Sequence, residues 1–429
     1  MAAPLKSAAG FVPRTVFEVS PSITRSYFLG HHAGALTAMR KVMSNIGLIL
    51  ECRDSRVPLS SANPLLESSL AGRDRIVVYT KADLCAPASG KNRLKKQLKL
   101  LSEWHAPVTL PSSYGEPEDG GDGGDGGGVG ERWGGDGDDA VGLGRTEVVF
   151  TDEHNPRSIE HLLRSIRSRA IASHSIVGMR ALVVGMPNAG KSTLLNALRR
   201  EGMQIPRKRG RKGAPPPEPR QIAKAARTGA EPGVTRKMAT PVRIMERDSY
   251  RAKLGHRAKE GVGEGVFLLD TPGVFVPYVS DVEAMLKLAL VGCVKDGLVP
   301  AETVADYLLF RLNLRDPQLY AHLAAPTNDA AEFLEAVARR TGKLLRGGEP
   351  AIDHAADWVV QQWRMGRLGR FALDDVSDEG LRASRERRRK AAAGEGGGEP
   401  LSMNQARKRE KEARKVRSAA KRAAASDSA

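Results

Sequence analysis

Gly185-Met186-Pro187-Asn188-Ala189-Gly190-Lys191-Ser192-Thr193 is the stretch from which the rest of the chain is read. The apolar run Ala181-Leu182-Val183-Val184 leads into it, and Leu194-Leu195-Asn196-Ala197-Leu198 follows with helical spacing. Strand, glycine loop, helix is the context a phosphate-binding loop requires. The glycines let backbone N–H groups turn inward around a phosphate, and the helix N-terminus adds partial positive charge. On this reading residues Asn188, Ala189, Gly190, Lys191, Ser192 and Thr193 surround the phosphates. Lys191 reaches the β and γ groups, and the Ser192 hydroxyl ligates magnesium.

Upstream, Ile76-Val77-Val78-Tyr79 reads as a buried strand and runs into Thr80-Lys81-Ala82-Asp83-Leu84. A Thr-Lys-x-Asp turn at a strand end suits a guanine reader. The Asp83 carboxylate accepts from the base's N1–H and exocyclic amine, and the Lys81 stem packs over the ring. Adenine offers no such donor pair and would leave the carboxylate unpaired, which favours GTP over ATP. Downstream, Val266-Phe267-Leu268-Leu269 enters Asp270-Thr271-Pro272-Gly273, a loop suited to sensing magnesium and the γ-phosphate through Asp270 and Gly273. Between loop and sensor, Pro232-Gly233-Val234-Thr235-Arg236 offers Thr235 as a second magnesium ligand on a closing switch. The order is base reader, phosphate loop, switch threonine, sensor. Ordinary GTPases place the base reader last, so the chain reads as circularly permuted, which is tolerable because the sites sit at strand ends that can be rejoined elsewhere.

With these motifs in hand the chain resembles the YlqF/RbgA family of circularly permuted, ribosome-assembly GTPases, most of all its mitochondrial branch. Tyr27-Phe28-Leu29-Gly30-His31-His32 is similar to the family's N-terminal Phe-Pro-Gly-His-Met. Glu51-Cys52-Arg53-Asp54-Ser55-Arg56-Val57-Pro58 with Asn63-Pro64 resembles its Asp-Ala-Arg-x-Pro…Asn-Pro signature. The likeness runs from about Tyr27 to Phe371, and Thr151-Asp152 departs from the family's Ser-Ala base loop.

The fold expected is α/β, a permuted P-loop GTPase domain with a mostly parallel sheet over residues 23–280, then a small all-α domain over 281–376. The chain is 429 residues with net charge +17, which points to a polyanionic partner, nucleic acid or an anionic membrane surface. Its 3 cysteines form no metal spacing and no disulfide framework, which fits a reducing compartment. No apolar stretch reaches the roughly 18 residues of a membrane span, so contact with a membrane would be peripheral.

Helices are expected over Ala33–Met43 and Asn92–Trp104, and strands over Ile46–Glu51 and Val148–Thr151. The apolar stripes of Val282–Val294, Glu302–Leu312, Ala330–Arg340 and Ala351–Trp363 predict a small bundle, where the family places an RNA-contacting domain. Gly/Asp repeats near 115–144 and a basic, proline-rich stretch near 204–230 cannot bury a core and read as disordered insertions. The second is either a solvated loop or a phosphate-backbone contact through Arg207–Lys212. Residues 377–429, with Arg385–Lys390 and Arg407–Arg422, read as a disordered basic tail. Residues 1–22 are basic and acid-poor up to Glu18, as in a mitochondrial transit peptide or a plain disordered start; the resemblance favours the former.

The resemblance implies a monomeric GTPase that assembles the large subunit of the mitochondrial ribosome, in the matrix or on the matrix side of the inner membrane, and binds rRNA according to its nucleotide. A related permuted GTPase acting in plastid, nucleolar or cytosolic ribosome assembly is the alternative. A mainly RNA-binding protein with a degenerate nucleotide site is the rival from another class. Where many GTPases place a water-orienting Gln, this chain has Val274, so intrinsic turnover is expected to be slow. The resemblance offers His31 as the catalytic group, assisted by Lys191 and Thr235, with His32 adjacent to it. It also implies that Asn188 either ligates potassium or only steadies its loop.

Overall fold

Apolar runs in the first part of the chain become strands covered on both faces, as a mostly parallel sheet requires. A computed structural model of the chain describes residues 10–19, 23, 30–70, 72–86, 91–105, 144–203, 225–226, 240–247, 261–276, 279 and 281–393. The described strands are β1 (Leu48–Asp54), β2 (Arg75–Thr80), β3 (Thr146–Phe150), β4 (Met179–Gly185), β5 (Val242–Met245) and β6 (Val266–Asp270). The first five described helices are α1 (Gly30–Val42), α2 (Pro64–Ser69), α3 (Lys91–His105), α4 (Pro156–Ala172) and α5 (Lys191–Gly202). They are followed by α6 (Val282–Leu290), α7 (Ala301–Arg315), α8 (Ala330–Thr341), α9 (Ile352–Arg364) and α10 (Asp378–Ala393).

The sheet runs β3-β2-β1-β4-β6-β5. Its neighbours are parallel except at the edge, where β5 is antiparallel to β6. The glycine-loop strand β4 is therefore central. Strands β1, β2 and β3 precede it in the chain and extend to one side, and β6 and β5 follow it and extend to the other. This is the permuted order in three dimensions. Register brings Cys52 beside Gly185, Asp54 beside Thr80 and Val183 beside Asp270. The C-terminal ends of four parallel strands thus form one rim, the place where open α/β sheets hold ligands.

Side chains alternate across the sheet with the two-residue period of a strand. Leu48, Leu50, Ile76, Val78, Ala181 and Val183 pack beneath α4 and α5. On the opposite face Ile49, Leu182, Val184 and Leu269 pack with Ala35 and Met39 of α1. Helix α4 was not anticipated. Asn155 caps it, Pro156 opens it, and Ile159, Leu162, Leu163 and Ile166 make its buried stripe. That Asn-Pro start followed by helical spacing was a legible signal.

Helices α6 to α9 form their own core around Met285, Tyr307, Phe333 and Trp363. Asp281 and Asp329 cap α6 and α8 through side-chain bonds to Glu283 N and Ala331 N. The core continues into the first domain through Val57, Met186 and Phe275. The chain after α9 returns to the loop after β1. Leu373 N donates to Arg56 O at 2.7 Å, and the Asp374 carboxylate accepts from Leu59 N, Ser60 N and Ser60 Oγ at 2.6–2.8 Å. Among the described residues no helix is long and apolar enough to cross a membrane.

Two boundaries differ from expectation. The tail expected to be disordered from 377 begins with α10, whose Leu381 is buried against Leu100, Leu101 and Trp104. Counting arginines hid one apolar residue placed to meet α3. The expected leader, 1–22, overlaps a packed segment. Arg14 pairs with Asp306 and donates its N–H to Asn328 Oδ1 at 3.1 Å, and Asn328 Nδ2 donates to Val12 O at 2.9 Å. Phe17 meets the Tyr307 ring edge-on at 5.3 Å. Cleavage at 22 would strip these contacts from the helical domain. The Gly/Asp insertion up to 143, all but 225–226 of the second insertion beyond Met203, and residues 394–429 lie outside the described residues.

Candidate nucleotide site

The glycine loop is shaped by two residues in the left-handed region, Asn188 at φ 55° and Gly190 at φ 80°. Gly190 is the N-cap of α5, no side chain caps that end, and no acidic residue lies in its first turn. Its N–H groups and helix dipole therefore favour an anion. Ala189 is buried and Thr193 is half-buried in the first turn.

Lys191 is 7% exposed and Nζ donates to Met186 O at 2.7 Å. Among the described residues it has no ion-pair partner. Burial lowers its pKa, a shift opposed by the nearby Asp270 carboxylate. Ser192 Oγ donates to Asp270 Oδ2 at 2.6 Å, so two of the three magnesium-site residues read from sequence meet. Asp270 Oδ1 is buried and has no hydrogen-bond partner among the described residues. Burial raises the Asp270 pKa, offset in part by Ser192 and Lys191. A buried ammonium with no ion pair among the described residues and a buried carboxylate oxygen with no hydrogen bond fit a phosphate and a magnesium ion. The Lys191 ammonium and the α5 N-terminus would hold the phosphates, and Ser192 with Asp270 would hold the metal. Bound magnesium would neutralise charge on the phosphate oxygens.

Gly273 lies against the loop. A Cβ there would come within 2.6 Å of Pro187 Cα and N, so only glycine lets the sensor approach this closely. The next residue, Val274, is wholly buried with Ile49, Leu182 and α1, and its N–H donates to Gly185 O at 3.1 Å. Its side chain is a core anchor. Thr235 lies outside the described residues. His31 lies in the first turn of α1, four residues before Ala35, which shares the Val274 cluster; the His31 side chain is outside the described set.

The turn Thr80–Asp83, the candidate base reader, closes on the same rim. Thr80 Oγ1 donates to Ala189 O at 2.9 Å, and Lys81 Nζ donates to Asn188 O at 2.9 Å. Lys81 is at φ 55°, and its ammonium also meets Asp54 Oδ2 at 2.9 Å. Asp83 is half-buried; burial and then Asp152 push its pKa up, while Arg370 and His154 oppose the shift. Two N–H donors from a guanine edge would favour the carboxylate in that setting. Thr151 N donates to Tyr79 O at 2.8 Å and Thr151 O accepts from Ala82 N at 3.1 Å, which ties the loop after β3 to the reader.

Sequence reading noted Asp54 and Arg56 without giving them a task. Asp54 is fully buried and accepts from Arg56 N, Arg56 Nε, Arg56 Nη2 and Lys81 Nζ at 2.8–3.0 Å. Burial alone would raise its pKa, but Arg56 and Lys81 outweigh burial and hold it well below the usual carboxylate range. The charge run at the end of β1 was the signal. Asn188 Nδ2 donates to Gly292 O at 2.8 Å, a contact with the helical domain that no local pattern announces.

The family model for 50S ribosome-binding GTPases matches residues 180–323. With the strand order and the loop geometry, this makes the chain a circularly permuted P-loop GTPase. Mitochondrial GTPase 1 of Schizosaccharomyces japonicus is 34% identical over 359 residues, 82% of this chain and 91% of that protein. The chain belongs to that family, the mitochondrial branch of the YlqF/RbgA GTPases. Mitochondrial ribosome-associated GTPase 1 of Xenopus tropicalis is 29% identical over 380 residues, 84% of this chain and 98% of that protein. GNP-bound YlqF from T. maritima is similar at 19% identity and TM-score 0.44, over 80% of this chain and 99% of that one.

Proposed function

We propose that this GTPase acts in mitochondria as an assembly factor for the large ribosomal subunit, gripping rRNA according to the nucleotide it holds. The observation that carries the enzymatic half lies at the glycine loop, where the Lys191 ammonium is buried without an ion pair among the described residues and Asp270 Oδ1 is buried without a hydrogen bond beside Ser192. A degenerate site would have no reason to keep both. The ribosomal half is supported by the names of two relatives, mitochondrial ribosome-associated GTPase 1 and the Bacillus cereus ribosome biogenesis GTPase A, and by net charge +17. That charge supplies salt-dependent affinity for a phosphate backbone and suits peripheral contact with the matrix face of the inner membrane.

GTP is held by Asn188, Ala189, Gly190, Lys191, Ser192 and Thr193 at the phosphates and by Thr80, Lys81 and Asp83 at the base. Asp270, Gly273 and Thr235 report the γ-phosphate, and potassium bound at Asn188 would add a fixed positive charge. Val274 is committed to the core, so the group that orients water comes from elsewhere. His31 supplies it when a partner orders the start of α1. The protein works as a monomer, slow alone and fast on the subunit.

Single-turnover hydrolysis with and without large mitochondrial ribosomal subunits tests this reading. Strong stimulation of the parent is expected, greater in potassium than in sodium. His31→Ala should retain nucleotide affinity and lose most of the stimulated rate, with His32→Ala doing much less. Equal stimulation of parent and His31→Ala removes the catalytic role. No stimulation of the parent removes the ribosomal one.

A further inference from the structure

The glycine loop and the base-reading turn are both held from the helical domain, and the holding converges on the last turn of α9. Asn188 donates its amide Nδ2 to Gly292 O at 2.8 Å, in the turn between α6 and α7. Gly292 is at φ +84°, and its N–H donates to Ala289 O at 3.0 Å as the turn reverses the chain. The guanidinium of Arg364 fastens that turn. Nε donates to Leu290 O and Nη2 to Ala289 O, both at 2.9 Å, and Nη2 also meets Asp296 Oδ1 at 3.2 Å. These are the last carbonyls of α6, which have no partner within the helix, and a planar fork reaches two of them at once. Arg364 Cζ lies 3.3 Å from where a Cβ on Gly292 would stand.

The neighbouring Trp363 ring packs 4.9 Å beneath the Arg56 guanidinium, which holds Asp54 and, through it, Lys81. Lys81 donates back to Asn188 O. One turn of helix thus reaches the loop through Gly292 and the base reader through Arg56.

We propose that Arg364 is a positioning residue for nucleotide binding, acting through the Gly292 carbonyl on the Asn188 amide. Because Gly292 O takes the amide N–H, that carbonyl fixes the plane of the Asn188 amide and with it the direction of its oxygen. Orientation set from the helical domain makes nucleotide affinity sensitive to whatever that domain contacts. The inference rests on the reading of the glycine loop as the nucleotide site.

Dissociation of a fluorescent GDP analogue from the full-length protein tests it, measured in potassium and in sodium beside thermal unfolding of each variant. Arg364→Lys keeps the charge but cannot fork across two carbonyls, and is expected to speed dissociation about tenfold, the effect of roughly one charge-assisted hydrogen bond. Asn188→Ala should do the same, and the double variant should be no faster than either single one. Gly292→Ala gives a second route should Arg364→Lys fail to fold. Its Cβ would press on the guanidinium at an unfavourable φ, and its effect should likewise vanish in the Asn188→Ala background. Effects that multiply in the double variants overturn the proposal, as does an Arg364→Lys protein with lowered melting temperature and unchanged dissociation. A parent protein that fails to bind the GDP analogue overturns the nucleotide reading itself, and the inference with it. Asn188→Ala without effect, in a parent that binds, overturns the inference alone.

Discussion

Asp54→Asn is the substitution on which the buried end of β1 can be tested most severely. Asp54 is 0% exposed and Arg56 is 2% exposed, and four donors converge on the two carboxylate oxygens. An amide keeps one acceptor and turns the other position into a donor, facing the Arg56 guanidinium or the Lys81 ammonium. Arg56 then remains buried with its charge uncompensated, a situation that costs about 3–5 kcal/mol. Against a total stability of about 5–15 kcal/mol, that is about a fifth or more of what holds the domain together. Urea unfolding at pH 7 reads the loss, and GDP affinity should fall as well, because Lys81 loses the carboxylate that aims it at Asn188 O. Replacing the pair together, Asp54→Leu with Arg56→Met, should recover most of the stability and little of the affinity. The pH dependence has a defined sign. The folded-state pKa of Asp54 is depressed, so its stabilisation is fully present above the unfolded value near 3.9, within about a unit, and is lost as pH falls through the folded value. The gap between parent and variant should be widest near neutrality and close in acid. A loss under about 1 kcal/mol at pH 7, the range of an exposed pair, would refute the argument, and so would a gap that does not change with pH.

Lys191→Ala should abolish tight nucleotide binding, read by titration with labelled GTP; parental affinity would remove the phosphate site. Asp83→Asn should shift preference from GTP towards xanthosine triphosphate, whose 2-oxo group suits an amide donor, and an unchanged preference in competition binding would remove the base reader. Phe17→Ala should cost about 2 kcal/mol, less than a fully buried ring because Phe17 is half-buried, with thermal unfolding as the measure. Affinity for ribosomal RNA should fall steeply with salt, and fall further when Arg385–Lys390 and Arg407–Arg422 are deleted. A flat salt dependence would contradict a phosphate-backbone interface.

Much of the fold was written in local sequence, because the motifs read as phosphate loop, base-reading turn and sensor are each a few consecutive residues at the end of a strand. Gly190, Lys191 and Ser192 need only a strand before them and a helix after. The order of those motifs was enough to read a permuted chain, and apolar runs with periods of two and 3.6 were enough to place most strands and helices. Other features depended on residues far apart in the chain. That Asp54 holds Lys81, that Gly292 takes the Asn188 amide and that Arg364 donates to Ala289 O are contacts across 27, 104 and 75 positions. No periodicity encodes such pairs; they exist only once β1, β2, β4 and the end of α6 share one rim. The ends of the chain show the same limit. Composition sees Arg14 and the arginines after 377 as charge exposed to water. Only the folded helical domain supplies Asp306 and Tyr307 for the first, and only the packed face of α3 gives Leu381 a place to be buried.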